Sequence, residues 1–376
     1  MEPVDLATLA DNVQRGPLFE RQRALGATFF EDYGRLWTAS FGDPEAEYRA
    51  AREGAVVWDV SALSKWHVTG PDALAAMDRL TTRPTAPDRP GQVRYVMLLN
   101  ADGLLVEEAT RYVVGPNEVW LVGNEDRPAM AAHLEGSITD LDVRIENRTD
   151  EVVSIAVQGP RSCEVLAPLV EGKLASLGYY RVIERTTVAG VEAMVSRTGF
   201  SGELGYELFV FGGADAAGVV WDAVIEYGAT PMGLDAVEML RVESGFVVAD
   251  EDYVTGRTDP ADLSLDRFID LEARTEFIGR DAVTRRLASP ARRFVTLSID
   301  GDVAMPADPV IVVDGARVGE VRSVQRTPRF GLIALAVVDE ALAVDGTQVL
   351  IGEEARPATV RPRPIDDGDR ARRARP

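Results

Sequence analysis

Ile155-Ala156-Val157-Gln158-Gly159-Pro160-Arg161-Ser162, running on through Val165 and Leu166 to Leu169, decides how this chain folds. It reads as a short apolar strand, a Gly-Pro corner, and a helix with apolar residues near three- and four-residue spacing. Proline suits the first turn of a helix, where its missing N–H is not needed. The same order occurs earlier, in Trp66-His67-Val68-Thr69-Gly70-Pro71-Asp72-Ala73-Leu74, continuing through Met77 to Leu80. The two Gly-Pro pairs lie 89 residues apart. An echo at that distance implies a duplicated α+β unit.

Strand-like runs follow the first Gly-Pro helix at 95–99, 104–106, 110–114 and 119–122, with Gly115-Pro116-Asn117 as the turn between the last two. Consecutive hairpins imply antiparallel sheets, not a doubly wound parallel one. The second unit continues through strands at 193–197 and 206–211 and a helix near 214–225; another helix spans 233–245. From Arg293 onward, short β-like runs at 294–299, 310–313, 333–338 and 348–351 are separated by turns such as Asp314-Gly315 and Asp345-Gly346. They fit a small C-terminal β-barrel or sandwich. The expected organisation is a first α+β domain over 1–150, completed by 246–290, a second related domain over 151–245, and a barrel over 291–376.

Composition narrows the function. The chain has 376 residues, 46% of them apolar, enough for two or three domains with real cores. Its apolar runs are too short to span a bilayer and the N-terminus does not read as a signal peptide, so a cytoplasmic protein without membrane contact is expected. A formal net charge of −21 argues against nucleic acid as partner. Lys65 and Lys173 are the only lysines, Cys163 the only cysteine, and His67 and His133 the only histidines. No metal site is expected from so few ligands, nor a Ser–His nucleophile pair. The basic tail over 361–375 reads as a frayed terminus beyond about Asp367.

Four groups of residues could carry chemistry. Arg197-Thr198-Gly199-Phe200-Ser201-Gly202-Glu203-Leu204-Gly205-Tyr206-Glu207-Leu208 spaces three glycines by three and leads into an alternating strand. Such a loop can approach a flat ligand closely while the strand holds a carboxylate against its edge. It also fits a plain Gly-rich hairpin. Glu107-Glu108 puts one carboxylate inward and one outward on a strand, or marks an acidic strand end. Arg241 and Glu243, two apart on a helix, suit tertiary ion pairs. Tyr95, Tyr112, Trp66 and Trp120 are core aromatics or walls for a heterocycle.

Taken in order, these segments resemble the folate-binding aminomethyltransferase family, which includes the glycine-cleavage T-protein and tetrahydrofolate-dependent demethylases of methoxylated aromatics or dimethylsulfoniopropionate. The resemblance runs from about Tyr48 to about Pro364. Further markers are Trp58-Asp59-Val60-Ser61, Arg79-Leu80-Thr81-Thr82, Asn100-Ala101-Asp102-Gly103 before the acidic pair, Gly233-Leu234 with Arg241-Val242-Glu243, and Phe277-Ile278-Gly279-Arg280. It implies a cloverleaf of two related α+β domains and a barrel around tetrahydrofolate. Glu207 matches the glutamate that reads the pterin edge, where a ring N–H and an amino group lie side by side. Glu108 matches the central catalytic aspartate near the folate nitrogen that receives the carbon unit. Tyr95 and Tyr112 match cavity tyrosines, Leu63 an apolar folate contact, and Phe200 stands where the T-protein has a tyrosine.

The departures from the T-protein pattern are specific. Ala62-Leu63 replaces a His-Met pair, Leu104 a glycine, Glu108 an aspartate, and Val237-Glu238 an Arg-Asp pair. Together with Ser201-Gly202-Glu203-Leu204-Gly205-Tyr206-Glu207 they favour the demethylase branch: transfer of a methyl group from a small O-, S- or N-methyl donor to tetrahydrofolate. The rival expectations are an aminomethyltransferase served by a lipoyl carrier protein, and a folate-binding iron–sulfur accessory protein. Relatives of the latter kind carry a reactive cysteine that Thr275-Glu276-Phe277-Ile278-Gly279-Arg280 lacks. His67 and tyrosines are candidates for the leaving-group acid.

Overall fold

The computed structural model describes residues 3–10, 12–125, 128–273, 276–301, 308–366 and 370. The fold is α+β, with two large sheets and a closed barrel. The first sheet has the order Gln92–Leu99, Leu105–Gly115, Glu118–Glu125, Leu63–Thr69, Arg144–Asn147. The second runs Val182–Val188, Val191–Ser196, Gly205–Val210, Val153–Gln158, Val56–Asp59, Thr230–Pro231. Every pairing in both is antiparallel except the last, Thr230–Pro231 against Val56–Asp59.

The duplication is visible strand by strand. Each unit runs strand, Gly-Pro, helix, three antiparallel strands, helix, and the two central pairings correspond. The fifth strands are exchanged. Val56–Asp59 leads directly into the first unit but pairs with Val153–Gln158 of the second. Arg144–Asn147 leads into the second unit but pairs with Leu63–Thr69 of the first. The Gly-Pro corners lie against these exchanged strands: Asp72 N–H donates to Asp142 O, and Arg161 N–H donates to Gly54 O. That contact explains the glycine. Gly159 has φ +116°, and a Cβ there would sit 2.4 Å from Gly54 O; Gly70 has φ +129° with Asp142 O at 2.5 Å. Gly159→Ala should therefore cost about 3 kcal/mol in urea unfolding, from strained backbone plus a carbonyl clash. Gly190→Ala, at φ +79° but in open space, should cost only about 1 kcal/mol.

The sheets pack face to face and carry helices on their outer faces. Ala73–Leu80 and Pro128–Gly136 cover the first, burying Ala76, Met77, Leu80, Met130 and Leu134 against Val96, Leu98 and Leu121. Gly213–Glu226 and Ser162–Leu166 cover the second through Val220, Trp221, Val165 and Leu166. Each such fully buried aliphatic side chain contributes about 1.5–3 kcal/mol by leaving water. The inner faces meet in a smaller cluster of Val93, Tyr112, Trp120, Met194 and Phe209.

The barrel closes in the order Arg292–Ile299, Gly331–Asp339, Ala316–Thr327, Val310–Val313, Gln348–Ile351, Arg356–Arg361, around Leu297, Ile311, Ala334, Ala336 and Ile351. Residues of 246–290, among them Val247, Tyr253 and Leu263, pack with Met97 and Leu105 of the first sheet and with Phe294 and Ile333 of the barrel. Helix Leu234–Ser244 lies against barrel strand Ala316–Thr327. Its fully buried Arg241 donates to Asp252 at 2.9 Å, to Ser323 at 3.0 Å and to Glu238. Glu243 accepts from Tyr48 at 2.8 Å and pairs with Arg52. Both residues thus make the tertiary pairs that their helix spacing suggested.

Several expectations need correction. The runs at 104–106 and 110–114 are one strand of 11 residues, Leu105–Gly115, in which the acidic pair is internal and does not end it. Glu107 and Glu108 pair with Leu98 and Met97 in regular register, and the shift between Leu98 and Leu99 falls at Val106, just before the acids. The N-terminal hairpin Thr28–Asp32/Arg35–Ser40 and the barrel strands Ala316–Thr327 and Arg356–Arg361 went unread. Thr275 and most of the tail beyond Asp366 lie outside the described residues. Arg370, which belongs to the stretch read as frayed, donates to Glu203 at 2.6 Å.

Candidate functional site

The Gly-rich loop owes its spacing to Gln158. The Gln158 side chain leaves the Gln-Gly-Pro corner and lies under the loop, donating to Thr198 O at 3.0 Å and accepting from Ser201 Oγ at 2.7 Å. A Cβ at Gly199 or Gly205 would come within 2.0–2.2 Å of it. The two glycines are what let this amide pin the loop to the sheet. The pinned loop feeds Gly205–Val210, which points Glu207 and Phe209 at the first sheet.

Glu207 is held from one side only. Its Oε2 accepts from Thr198 and, at 3.3 Å, from Tyr112, while Ser196 is 2.7 Å from Thr198. Its Oε1 has no hydrogen bond among the described residues. Burial pushes the Glu207 carboxyl up, against the pull of Thr198 and Tyr112. Burial also raises Tyr112 well above its usual range, helped by the Glu207 charge. The raised carboxyl gives a signed stability effect. The native state holds this proton more tightly than the unfolded chain, so its contribution is present in acid and is lost as pH rises through and above the ordinary carboxylate range. Glu207→Gln should therefore flatten the fall in urea-unfolding stability as pH rises above the ordinary carboxylate range and raise stability at neutral pH.

The second acid stands across the same layer. Glu108 shares strand Leu105–Gly115 with Tyr112 and accepts from the Tyr95 hydroxyl; burial first, then Glu108, pushes the Tyr95 phenol well up. Neighbouring Glu107 is only 2% exposed while Glu108 is partly exposed, so the adjacent acids differ in burial as their alternation suggests, although neither stands fully in solvent. Glu107 Oε1 accepts from Asn124 and, at 3.3 Å, from Tyr253.

Tyr180 joins the two acids. Its phenol is pushed up by burial and then by Tyr179, Glu207 and Glu108, so it lies in the field of both carboxylates. The sequence reading missed it because it precedes strand Val182–Val188 in an irregular, left-handed conformation (φ +55°). Arg363 was missed too. Burial, and then the Arg267 charge, lower its guanidinium to about 10, and it rests 4.9 Å over the Phe294 ring.

Tyr95, Tyr180, Thr198, Phe246 and Phe268 line a cleft of about 500 Å³, together with Arg83, Arg181 and Arg267. Those three guanidiniums have no carboxylate within 4.0 Å among the described residues. Neither acid lines this cleft; Glu108 is one hydrogen bond from its wall residue Tyr95, and Glu207 one hydrogen bond from its wall residue Thr198. Leu63 packs with Tyr112 on one side and with Trp58 and Val237 on the other. Phe200 lies one layer away, stacked on Phe246 at 5.0 Å. His67 is 3.1 Å from Glu118 and stacks on Trp120 at 4.2 Å. Among the described residues, no helix is long and apolar enough to cross a membrane.

Comparison with known proteins places this architecture. The model of the GCVT N-terminal domain matches residues 18–273, and that of the glycine cleavage T-protein C-terminal barrel domain matches 292–367. An aminomethyltransferase of Rubrobacter xylanophilus is 34% identical over 363 residues, covering 96% of each chain. A trimethylamine-oxide aldolase of Ruegeria pomeroyi is 36% identical over 354 residues, 89% of this chain; the match spans only 44% of that longer protein. The crystal structure of glycine cleavage system aminomethyltransferase T from Bartonella henselae superposes with a TM-score of 0.86, at 23% identity over 95% of this chain and 99% of that one, and so shares the fold. The duplicated sheets, the barrel and these matches together place the chain in the glycine-cleavage T-protein family of one-carbon transferases.

Proposed function

We propose that the cleft binds tetrahydrofolate and that the protein moves a methyl group onto it from a small O-, S- or N-methyl donor. The observation that carries this reading is Glu207: a half-buried carboxylate with one oxygen held by two hydroxyls and the other without a hydrogen bond among the described residues. A carboxylate oxygen left free beside a cleft is an acceptor that a ligand's donors can use. The adjacent N–H and amino group of a pterin are the matching donors.

The remaining residues fit the same ligand. Tyr95, Tyr180, Phe246 and Phe268 offer aromatic faces along the cleft, and Arg83, Arg181 and Arg267 offer cations where a glutamyl tail would emerge. Burial, together with Arg94, lowers Arg83, so an arriving carboxylate would be welcome there. When bound, tetrahydrofolate supplies N5 as a nucleophilic acceptor for the carbon unit. Glu108, oriented by Tyr95, would take the proton that N5 gives up on methylation and pass it to the demethylated donor, which leaves with the electron pair of its broken bond to the methyl carbon. Holding both reactants in one geometry supplies much of the rate.

Aminomethyl transfer from a lipoyl carrier protein is the second reading, favoured by the relative of matching length. Ala62-Leu63 in place of a His-Met pair and Val237, buried against Trp58 where an arginine would stand, favour the first. The purified protein should form 5-methyltetrahydrofolate from a panel of methylated donors and release no ammonia from aminomethylated lipoyl carrier protein. Ammonia release with formation of methylenetetrahydrofolate would select the second reading.

A further inference from the structure

A second cavity, of about 360 Å³, lies between the N-terminal hairpin and the two linkers that follow the exchanged strands. Gln14, Arg15, Gln22, Trp37, Asp59 and Thr149 are among its walls. Its size is within the range that holds small ligands. It is separate from the Arg-lined cleft, yet its wall residue Val152 packs in the same cluster as Tyr112.

Its polar groups are unequally satisfied. Asp59 Oδ1 is taken by Ser61, through the backbone N–H at 2.8 Å and through the hydroxyl. Among the described residues, Oδ2 receives only a long hydrogen-bond contact from Gln22, at 3.4 Å, and the charge of the buried Lys65 also acts on this carboxylate. Trp37 is 8% exposed, and its buried indole N–H has no hydrogen-bond partner among the described residues. Cations stand near by: Arg15, whose guanidinium lies 5.0 Å over the Phe19 ring, and Arg35, paired with Asp150 at 2.9 Å. A carboxylate oxygen without a short donor can accept from a ligand N–H, and a buried indole N–H seeks an acceptor. One cavity thus offers both ends of a dipole.

We propose that this cavity binds a small zwitterion of amino-acid size. Its ammonium N–H meets Asp59 Oδ2, and its carboxylate accepts from the Trp37 indole with Arg15 as counter-charge. The site is independent of folate and lies behind the inter-sheet layer, so occupancy by one ligand does not require the other.

Calorimetry on the full chain tests this, with N,N-dimethylglycine and glycine betaine as probes. The two differ in one feature that matters here, because betaine has no N–H. Dimethylglycine should bind saturably in the millimolar range, and betaine about tenfold more weakly. Asp59→Asn should weaken dimethylglycine about tenfold. Because Asp59 also braces Ser61, a second variant leaves it untouched: a Cβ at Gly16 would sit 3.4 Å from Asp59 Oδ2 without backbone strain. Gly16→Val should therefore block dimethylglycine, with circular dichroism and tetrahydrofolate affinity unchanged. No saturable binding up to about 20 mM, or equal binding by wild type and Gly16→Val, would overturn the proposal. Either result leaves the folate reading standing, since tetrahydrofolate uptake is measured in the same samples.

Discussion

Replacing Glu108 with Gln lowers turnover by roughly 100- to 1,000-fold while leaving tetrahydrofolate affinity within about threefold. The substitution keeps the size of the side chain and a carbonyl oxygen for the Tyr95 hydroxyl. It removes the one property that a proton-holding group needs, a titratable oxygen. The loss therefore falls on kcat and not on binding, and steady-state kinetics paired with calorimetry separates the two. Equal losses in both would make Glu108 a binding group only. Glu107 offers the contrast. Its carboxylate is already committed to Asn124 and Tyr253, so Glu107→Gln should show mainly as lowered stability.

The second large effect concerns affinity. Glu207→Gln should weaken tetrahydrofolate binding by roughly 100-fold, about 2–3 kcal/mol, the scale of a charge-assisted pair of hydrogen bonds. Gln presents an N–H where the ligand also presents one, so a repulsion replaces an attraction. The same substitution should stabilise the empty protein at neutral pH, because an amide is cheaper to bury than a carboxylate. Opposite signs for stability and affinity are what a binding residue shows; a structural acid would lose both.

Much of this fold can be read from local signals. The repeated strand–Gly-Pro–helix order reports the duplication because each corner must avoid the carbonyl of an adjoining segment. The exchanged strands cannot be read this way. Val56–Asp59 has only four residues, and nothing within them says that Val153–Gln158, not its own neighbour Leu63–Thr69, will be the partner. Barrel strand Ala316–Thr327 escaped because its outward side chains are charged and half-exposed, which dilutes the apolar alternation. Arg356–Arg361 contains Pro357, a residue that ordinarily argues against a strand.

The candidate site was legible to a different degree. Glu207 and Thr198 belong to one loop and strand, so their proximity follows from sequence spacing. Tyr112 meeting Glu207, and Tyr180 lying in the field of both acids, depend on how the chain packs together and have no sequence signature. Arg363 reaches Tyr95 only because the chain returns from the barrel. Phe200, placed by resemblance alone, stacks on Phe246 and touches the cleft through that ring.

Calorimetric titration of the folded wild-type protein with tetrahydrofolate under anaerobic conditions bears most directly on the central claim. The account predicts one equivalent taken up with micromolar affinity and a crystal of that complex with the pterin edge on Glu207. No measurable uptake, or a pterin bound away from Glu207, would contradict it.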